Sequence, residues 1–249
     1  MKKVIYTILS ITILTACMKE RSIEGKISIP MKGKYGNGVT DIDGNKYKTT
    51  IIGTQEWMAE NLKVSKYNDG TTIPNVMDKT QWLNLSTGAW SYYDNNEINN
   101  ADYGKLYNWH IVSPTTNGNK NVCPTGFHIP TKNEWQVLID YLEEDSVLAG
   151  GQMKEVGSTH WNTYTYYNTE NTNTSLFTAL PGGERYSDIY YDQSFFSKGF
   201  SSKWWSLIDN TTSKQAFIMG IESSERGYFL EYDLWDKNKY GHSIRCVKD

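Results

Sequence analysis

The stretch that most constrains this 249-residue chain is Cys123 to Leu142, CPTGFHIPTKNEWQVLIDYL. It reads as a short strand, a proline-bounded turn and one well-signalled helix. Thr131 occupies the N-cap position and Glu134 follows three residues later. At that spacing a hydroxyl and a carboxylate satisfy each other's backbone N–H groups. Pro130 keeps the preceding chain extended and fixes its approach to the helix. Trp135, Leu138, Ile139 and Leu142 recur at i, i+3, i+4 and i+7, so one helix face is apolar. The acidic run Glu143, Glu144, Asp145 sits badly against a helix C-terminus, which places the end near Leu142. Elsewhere turns and short aromatic-rich segments dominate, and this helix is what they are expected to pack on.

Residues 1–17, MKKVIYTILSITILTAC, begin with Lys2 and Lys3 and continue as an apolar run to Leu14, too short to span a bilayer. Leu14-Thr15-Ala16-Cys17 has the form of a lipoprotein cleavage box with Cys17 as the acylated residue; an ordinary secretory signal that contains a cysteine is the alternative. Residues 18–38, rich in Lys, Gly and Ser, read as a tether with a reach of roughly 25 Å, or as an extra N-terminal strand through Ile27 and Ile29. Met18-Lys19-Glu20-Arg21 resembles, incompletely, the Lys-then-acidic tag that sends lipoproteins of Bacteroidota-type bacteria to the outer face. Arg21 stands where a second acidic residue is usual. The expectation is a lipid-anchored outer-membrane protein facing outward.

Loss of Lys2 and Lys3 with the leader takes the formal charge from −3 to −5. A mildly acidic chain without a basic cluster argues against nucleic acid or anionic lipid as partner. Residues 39–249 fit one domain with a single sizeable core. Within them Asp41-Ile42-Asp43-Gly44-Asn45 opens like a calcium loop, but Lys46 and Lys48 follow where oxygen ligands belong. A turn between strands Val39–Ile42 and Asn45–Ile52 is the simpler reading. Tyr103, Leu106, Tyr107, His110 and Ile111 keep helical spacing, with Asp102 as N-cap and Ser113-Pro114 as stop, which predicts a second helix. Strands are expected at Leu176–Leu180, Trp204–Ile208, Gln215–Ile221, Tyr228–Tyr232 and Ser243–Val247.

Six segments in order, IGTQEWMAENL (52–62), YGKLYNW (103–109), the stretch from Cys123, ALPGGERY (179–186), KWWS (203–206) and HSIRCVKD (242–249), resemble the Fibrobacter succinogenes major paralogous domain. The pattern I-P-T-x-x-E-W also resembles that of formylglycine-generating proteins, whose fold is related to C-type lectins. The resemblance implies an α+β, C-type-lectin-like fold with two main helices and short, mostly antiparallel strands. It implies much less about activity.

Cysteine arithmetic adds a constraint. With Cys17 acylated, Cys123 and Cys246 remain as an even pair in an exported protein. A bond between them would close a loop of 123 residues, for which chain entropy sets an upper stabilisation of about 4–5 kcal/mol; two free thiols are the alternative. The resemblance to formylglycine-generating oxidases does not carry their activity over, because their closely spaced C-terminal cysteine pair is represented here by Cys246 alone. His110, His128, His160 and His242 form no metal-ligand spacing, and neither a catalytic motif nor a cofactor fingerprint appears. Binding fits the composition better. Tyr186, Asp188, Tyr190 and Tyr191, joined by Trp235 and Asp236, place aromatic faces beside carboxylates in glycine-flanked segments. Trp161 and Trp204 are expected buried, and Tyr190, Tyr191 and Trp235 partly exposed. The functional expectation is non-catalytic recognition of an extracellular glycan or peptide, accessory to an outer-membrane nutrient transporter. A structural or adhesive protein that binds another protein is the alternative.

Overall fold

The computed structural model describes residues 30–143, 149–162, 171–207, 216–223, 229–232 and 237–249. Cys17, Ile27, Ile29, Trp235 and Asp236 lie outside them. The first strands are β1 (Gly33–Tyr35), β2 (Val39–Thr40), β3 (Lys46–Tyr47), β4 (Thr49–Ile52) and β5 (Gln55–Met58). Then come α1 (Lys79–Leu83), β6 (Trp90–Ser91), α2 (Asn100–Tyr103), β7 (Leu106–Asn108), α3 (Trp109–Val112) and α4 (Pro114–Asn117). Next are β8 (Phe127–His128), α5 (Lys132–Glu143), α6 (Ala149–Met153), β9 (Gly182–Tyr186), β10 (Phe195–Lys198) and β11 (Ser201–Ser206). The chain ends with β12 (Phe217–Glu222), β13 (Phe229–Tyr232), β14 (Tyr240–His242) and β15 (Val247–Lys248).

These elements make an α+β domain. One sheet has the order β1-β4-β5-β15-β8, so the last strand sits inside it, with Val247 opposite both Trp57 and His128. The larger sheet runs β13-β12-β11-β9-β14-β7-β6, with β10 added to β9. Strand β1 falls in the stretch read as tether or extra strand, and it pairs with β4.

Helix α5 forms for the reason its sequence gives. Thr131 N donates to Glu134 Oε2 at 2.8 Å, and Glu134 N donates to Thr131 Oγ1 at 3.3 Å, closing the capping box. Its buried residues are Trp135, Leu138, Ile139 and Leu142. They meet Trp57, Phe177 and Trp204 in one aromatic interior, where the Trp57 and Trp135 rings lie 4.5 Å apart. Trp161 is also buried there. A second interior gathers Tyr107, Trp109 and Trp205 around Cys123 and Cys246, whose sulfurs stand at bonding distance, 2.02 Å, with Cα atoms 6.0 Å apart.

Three expected elements differ. Of the strand expected at Ser243–Val247, only Val247 lies in one, β15. The predicted helix from Tyr103 is instead a helical turn, a strand and another turn. Gly104, at φ +71°, ends α2, and Leu106–Asn108 then pairs on both sides as β7. A fully buried strand leaves an apolar run that mimics helical spacing. Pro114 likewise begins a short helix, α4, rather than stopping one. Leu176–Leu180 is a loop, because Leu176 and Thr178 take φ of +58° and +54°, outside strand geometry. The Asp41–Asn45 turn is present: Asp41 Oδ1 accepts from Asp43 N at 3.0 Å and Asn45 N at 2.9 Å. Strands β2 and β3 flank it and are shorter than expected.

Candidate functional site

Strand β9 sends successive side chains to opposite faces, and Arg185 and Tyr186 divide accordingly. Arg185 is buried with its guanidinium 4.0 Å from the Trp82 ring. It donates to the carbonyls of Val76 at 2.6 Å, Met77 at 3.0 Å and Asp78 at 3.3 Å, and through Nε to Ser187 Oγ at 3.0 Å. Burial draws this group down to about 10, still charged at neutral pH. The arginine thus ties the chain leaving β9 to the segment before α1.

Asp188 organises the loop between β9 and β10. Its Oδ1 accepts from Tyr190 N at 3.0 Å, and its Oδ2 accepts from Lys239 Nζ at 2.6 Å and Tyr186 Oη at 3.1 Å. The Lys239 bond, then the Tyr190 backbone bond, hold its carboxyl down at about 2. Ser187 N donates to the Lys239 carbonyl at 2.8 Å, and Lys79 Nζ donates to the Tyr191 carbonyl at 2.6 Å. With its backbone fixed, the loop holds Ile189, Tyr190 and Tyr191 at 71%, 85% and 55% exposure. The Tyr186 ring lies beneath, 6.1 Å from Tyr191, 6.2 Å from Phe196 and 4.9 Å from Tyr240. Tyr240 stacks on His242 at 5.6 Å, and His242 meets Trp205 at 4.5 Å, so ring contacts run unbroken from surface to core. The result is an aromatic platform with little freedom left to lose on binding a ligand.

Tyr186, Asp188, Tyr190 and Tyr191 lie together in and beside the loop between β9 and β10. Trp235 and Asp236 lie outside the described residues. Lys239, Tyr240 and Phe196 complete the platform and were missed. Lys239 lies 51 positions from Asp188, and only the pairing of Tyr240 with Tyr186 brings it there. Cavities of about 590, 270 and 260 Å³ lie elsewhere, and none of these three is lined by residues 186–193.

Other chemistries find less. His110 Nε2 bonds the Leu85 carbonyl at 2.9 Å. His128 lies between Asp249 and Glu134, each at 2.7 Å, and His160 beside Glu155 at 2.8 Å. His242 is wholly buried, and burial pushes its ring well below the ordinary value, leaving it neutral. No group of three or more His, Cys, Asp or Glu side chains among the described residues is arranged to hold a metal ion. Asp41 Oδ2 is occupied by Tyr47 Oη at 2.6 Å, and Asp43 by Ser65 and Lys66. Among the described residues no helix is long and apolar enough to cross a membrane.

Residues 51–248 match the family described as the Fibrobacter succinogenes major domain. The chain belongs to that family. No curated protein and no solved structure matches it. The family is a domain of unknown function, and no enzyme family is matched. The matched span of the Fibrobacter succinogenes major domain runs from within β4 through β15 and contains the whole platform, the interior around Trp135 and most of the one around the disulfide, whose Tyr47 precedes it together with β1, β2 and β3.

Proposed function

We propose that this member of the Fibrobacter succinogenes major domain family is an outward-facing, lipid-anchored lipoprotein of the outer membrane. It recognises an extracellular glycan or peptide without turnover, beside a nutrient transporter. The observation that carries the reading is the Asp188-braced platform, with exposed Tyr190 and Tyr191 rings on a backbone fixed by Asp188, Lys79 and Lys239. Rigid tyrosines give contact area at low entropic cost, and the neighbouring loop supplies polar groups for hydroxyls or amides. The leader through Cys17 supports the anchor. A C-type-lectin-like frame draws support from the way the disulfide and the β15–β8 pairing tie the lead-in to the main helix onto the C-terminal strand. A second reading, adhesion to another protein, draws support from the adjacent exposed side chains of Ile189, Tyr190 and Tyr191, since a contiguous exposed apolar patch fits a protein surface.

Glycan and peptide arrays on the wild-type chain, repeated on Tyr190→Ala and Tyr191→Ala, test the proposal. Hits weakened by both substitutions are the expected result. Hits that survive both place recognition elsewhere, and capture of folded proteins alone favours adhesion.

A further inference from the structure

The cavity of about 590 Å³ shares no residue with the platform; it is lined by Tyr35, Gly36, Asn37, Gly38, Lys46, Tyr47, Lys48, Thr49 and Glu60. Its floor is rigid for local reasons. Thr49 Oγ1 accepts from Gly38 N at 2.9 Å and donates to Glu56 Oε1 at 2.7 Å, while the Thr49 carbonyl accepts from Gly36 N at 2.9 Å. A Cβ on Gly36 would meet Thr49 Oγ1 at 2.3 Å and Glu56 Oε1 at 2.4 Å, so the loop lies this close only as glycine.

The rim differs from the floor. Tyr35 is 68% exposed, and Asn37, Lys46 and Lys48 are exposed beside it. Neither lysine has a carboxylate partner among the described residues. Glu60 Oε2 accepts from Lys48 N at 3.2 Å. A concave wall thus offers a flat ring, an amide, one carboxylate and two unneutralised ammonium groups. The size lies within the range of small-ligand sites, about 300–1,000 Å³.

We infer that this groove binds an acidic oligosaccharide, with a sugar carboxylate on Lys46 and Lys48 and a sugar ring on Tyr35. A neutral sugar leaves the excess positive charge unused. A peptide held by its main chain needs backbone donors, and the N–H groups of Gly36 and Gly38 are already engaged, so recognition rests on side chains. Eight of the nine lining residues precede position 51, where the family match begins, so the groove is a feature added to the edge of the domain. It neither uses nor requires the platform.

Titration calorimetry of the exported, mature chain with tetragalacturonate, sialyllactose, a neutral galactose tetramer and polyglutamate tests the inference. At least one acidic sugar should bind, the neutral tetramer should not, and affinity should fall as salt rises. Lys46→Gln with Lys48→Gln should weaken binding about tenfold, Tyr35→Ala about fivefold, and Lys46→Arg with Lys48→Arg should retain it. These side chains are exposed, so thermal melts should stay put, and Tyr190→Ala should bind the acidic sugar as wild type does. Several results overturn the inference: no binding of either acidic sugar, equal binding of the neutral one, affinity that survives the glutamine pair, or polyglutamate bound in their place.

Discussion

Two clusters in this molecule use the same kinds of side chain for opposite ends. In the interior that Trp57 and Trp135 share with them, Phe177 and Trp204 flank Arg245, whose guanidinium lies 4.2 and 5.3 Å from their rings. At the surface, Tyr186, Tyr191 and Tyr240 surround the Lys239–Asp188 pair. Arg245 is wholly buried. Its Nε and Nη2 donate to Asn61 Oδ1 at 3.2 and 2.8 Å, and Nη1 to the Phe177 carbonyl. Burial lowers it to about 9, and only neutral oxygens receive its hydrogen bonds, so it serves as a packing element that a fork of donors and ring faces makes tolerable. Lys239 is instead bound to a carboxylate that also holds a turn, and the turn projects its rings outward. Where the cation's partners lie thus decides whether neighbouring aromatics pack or display.

That contrast breaks if an interior ring proves dispensable. Trp204 is fully buried, with its indole N–H donating to Asn61 Oδ1 at 2.8 Å. Trp204→Ala is expected to cost about 3–5 kcal/mol in chemical unfolding, and a loss below ~1 kcal/mol would show that this interior is not packed as described. The second interior gives the next largest effect. Cys123→Ser with Cys246→Ser should cost about 2–4 kcal/mol, since the link closes a 123-residue separation. The same assay on reduced wild type should match the double variant.

Titration sharpens the difference between helix cap and platform. Burial pulls the His128 ring down, but the hydrogen bonds it donates to Asp249 and Glu134 outweigh it and leave the ring above its ordinary 6.5. Its contribution to stability is therefore complete below about pH 6.5 and is lost as pH rises through the raised value. Asp188 behaves in reverse. Its stabilisation is present above 3.8 and is lost as pH falls towards about 2. In melting temperature against pH, His128→Gln should flatten the limb above neutrality and Asp188→Asn the acid limb. Exchanged effects would refute both assignments.

Legibility followed the locality of the cause. Helix α5 was readable because its cap, periodicity and end all lie within Thr131–Glu143, and the disulfide because only two cysteines remained to pair. The Asp41 turn was readable from five residues. The span around Tyr107 was not, because its state depends on pairing with β14 and β6, which sequence spacing does not encode. The platform was half legible. Tyr186 to Tyr191 advertised themselves as a run, whereas Lys239 and Tyr240 join them only through sheet register. The groove around Tyr35 was not legible, since residues 18–38 read equally as a tether or an extra strand, and the groove's wall is set only by the pairing of β1 with β4.

The smallest expected effect on stability is the most informative about display. Tyr190 is 85% exposed, and its fixed element is a backbone N–H bonded to Asp188 Oδ1, which alanine keeps. Tyr190→Ala should therefore change unfolding free energy by no more than about 0.5 kcal/mol, as surface substitutions do. Tyr186→Ala is the control. Its ring touches Tyr191, Phe196 and Tyr240 and its hydroxyl donates to Asp188, so it should destabilise clearly while Tyr190→Ala does not. If Tyr190→Ala proved as costly as Tyr186→Ala, the exposed ring would be covered by structure, and the surface cluster would belong with the Trp204 interior as packing. If both were silent, the Asp188 loop would not be held by the ring stack beneath it, and the platform would lack the rigidity on which its binding role rests.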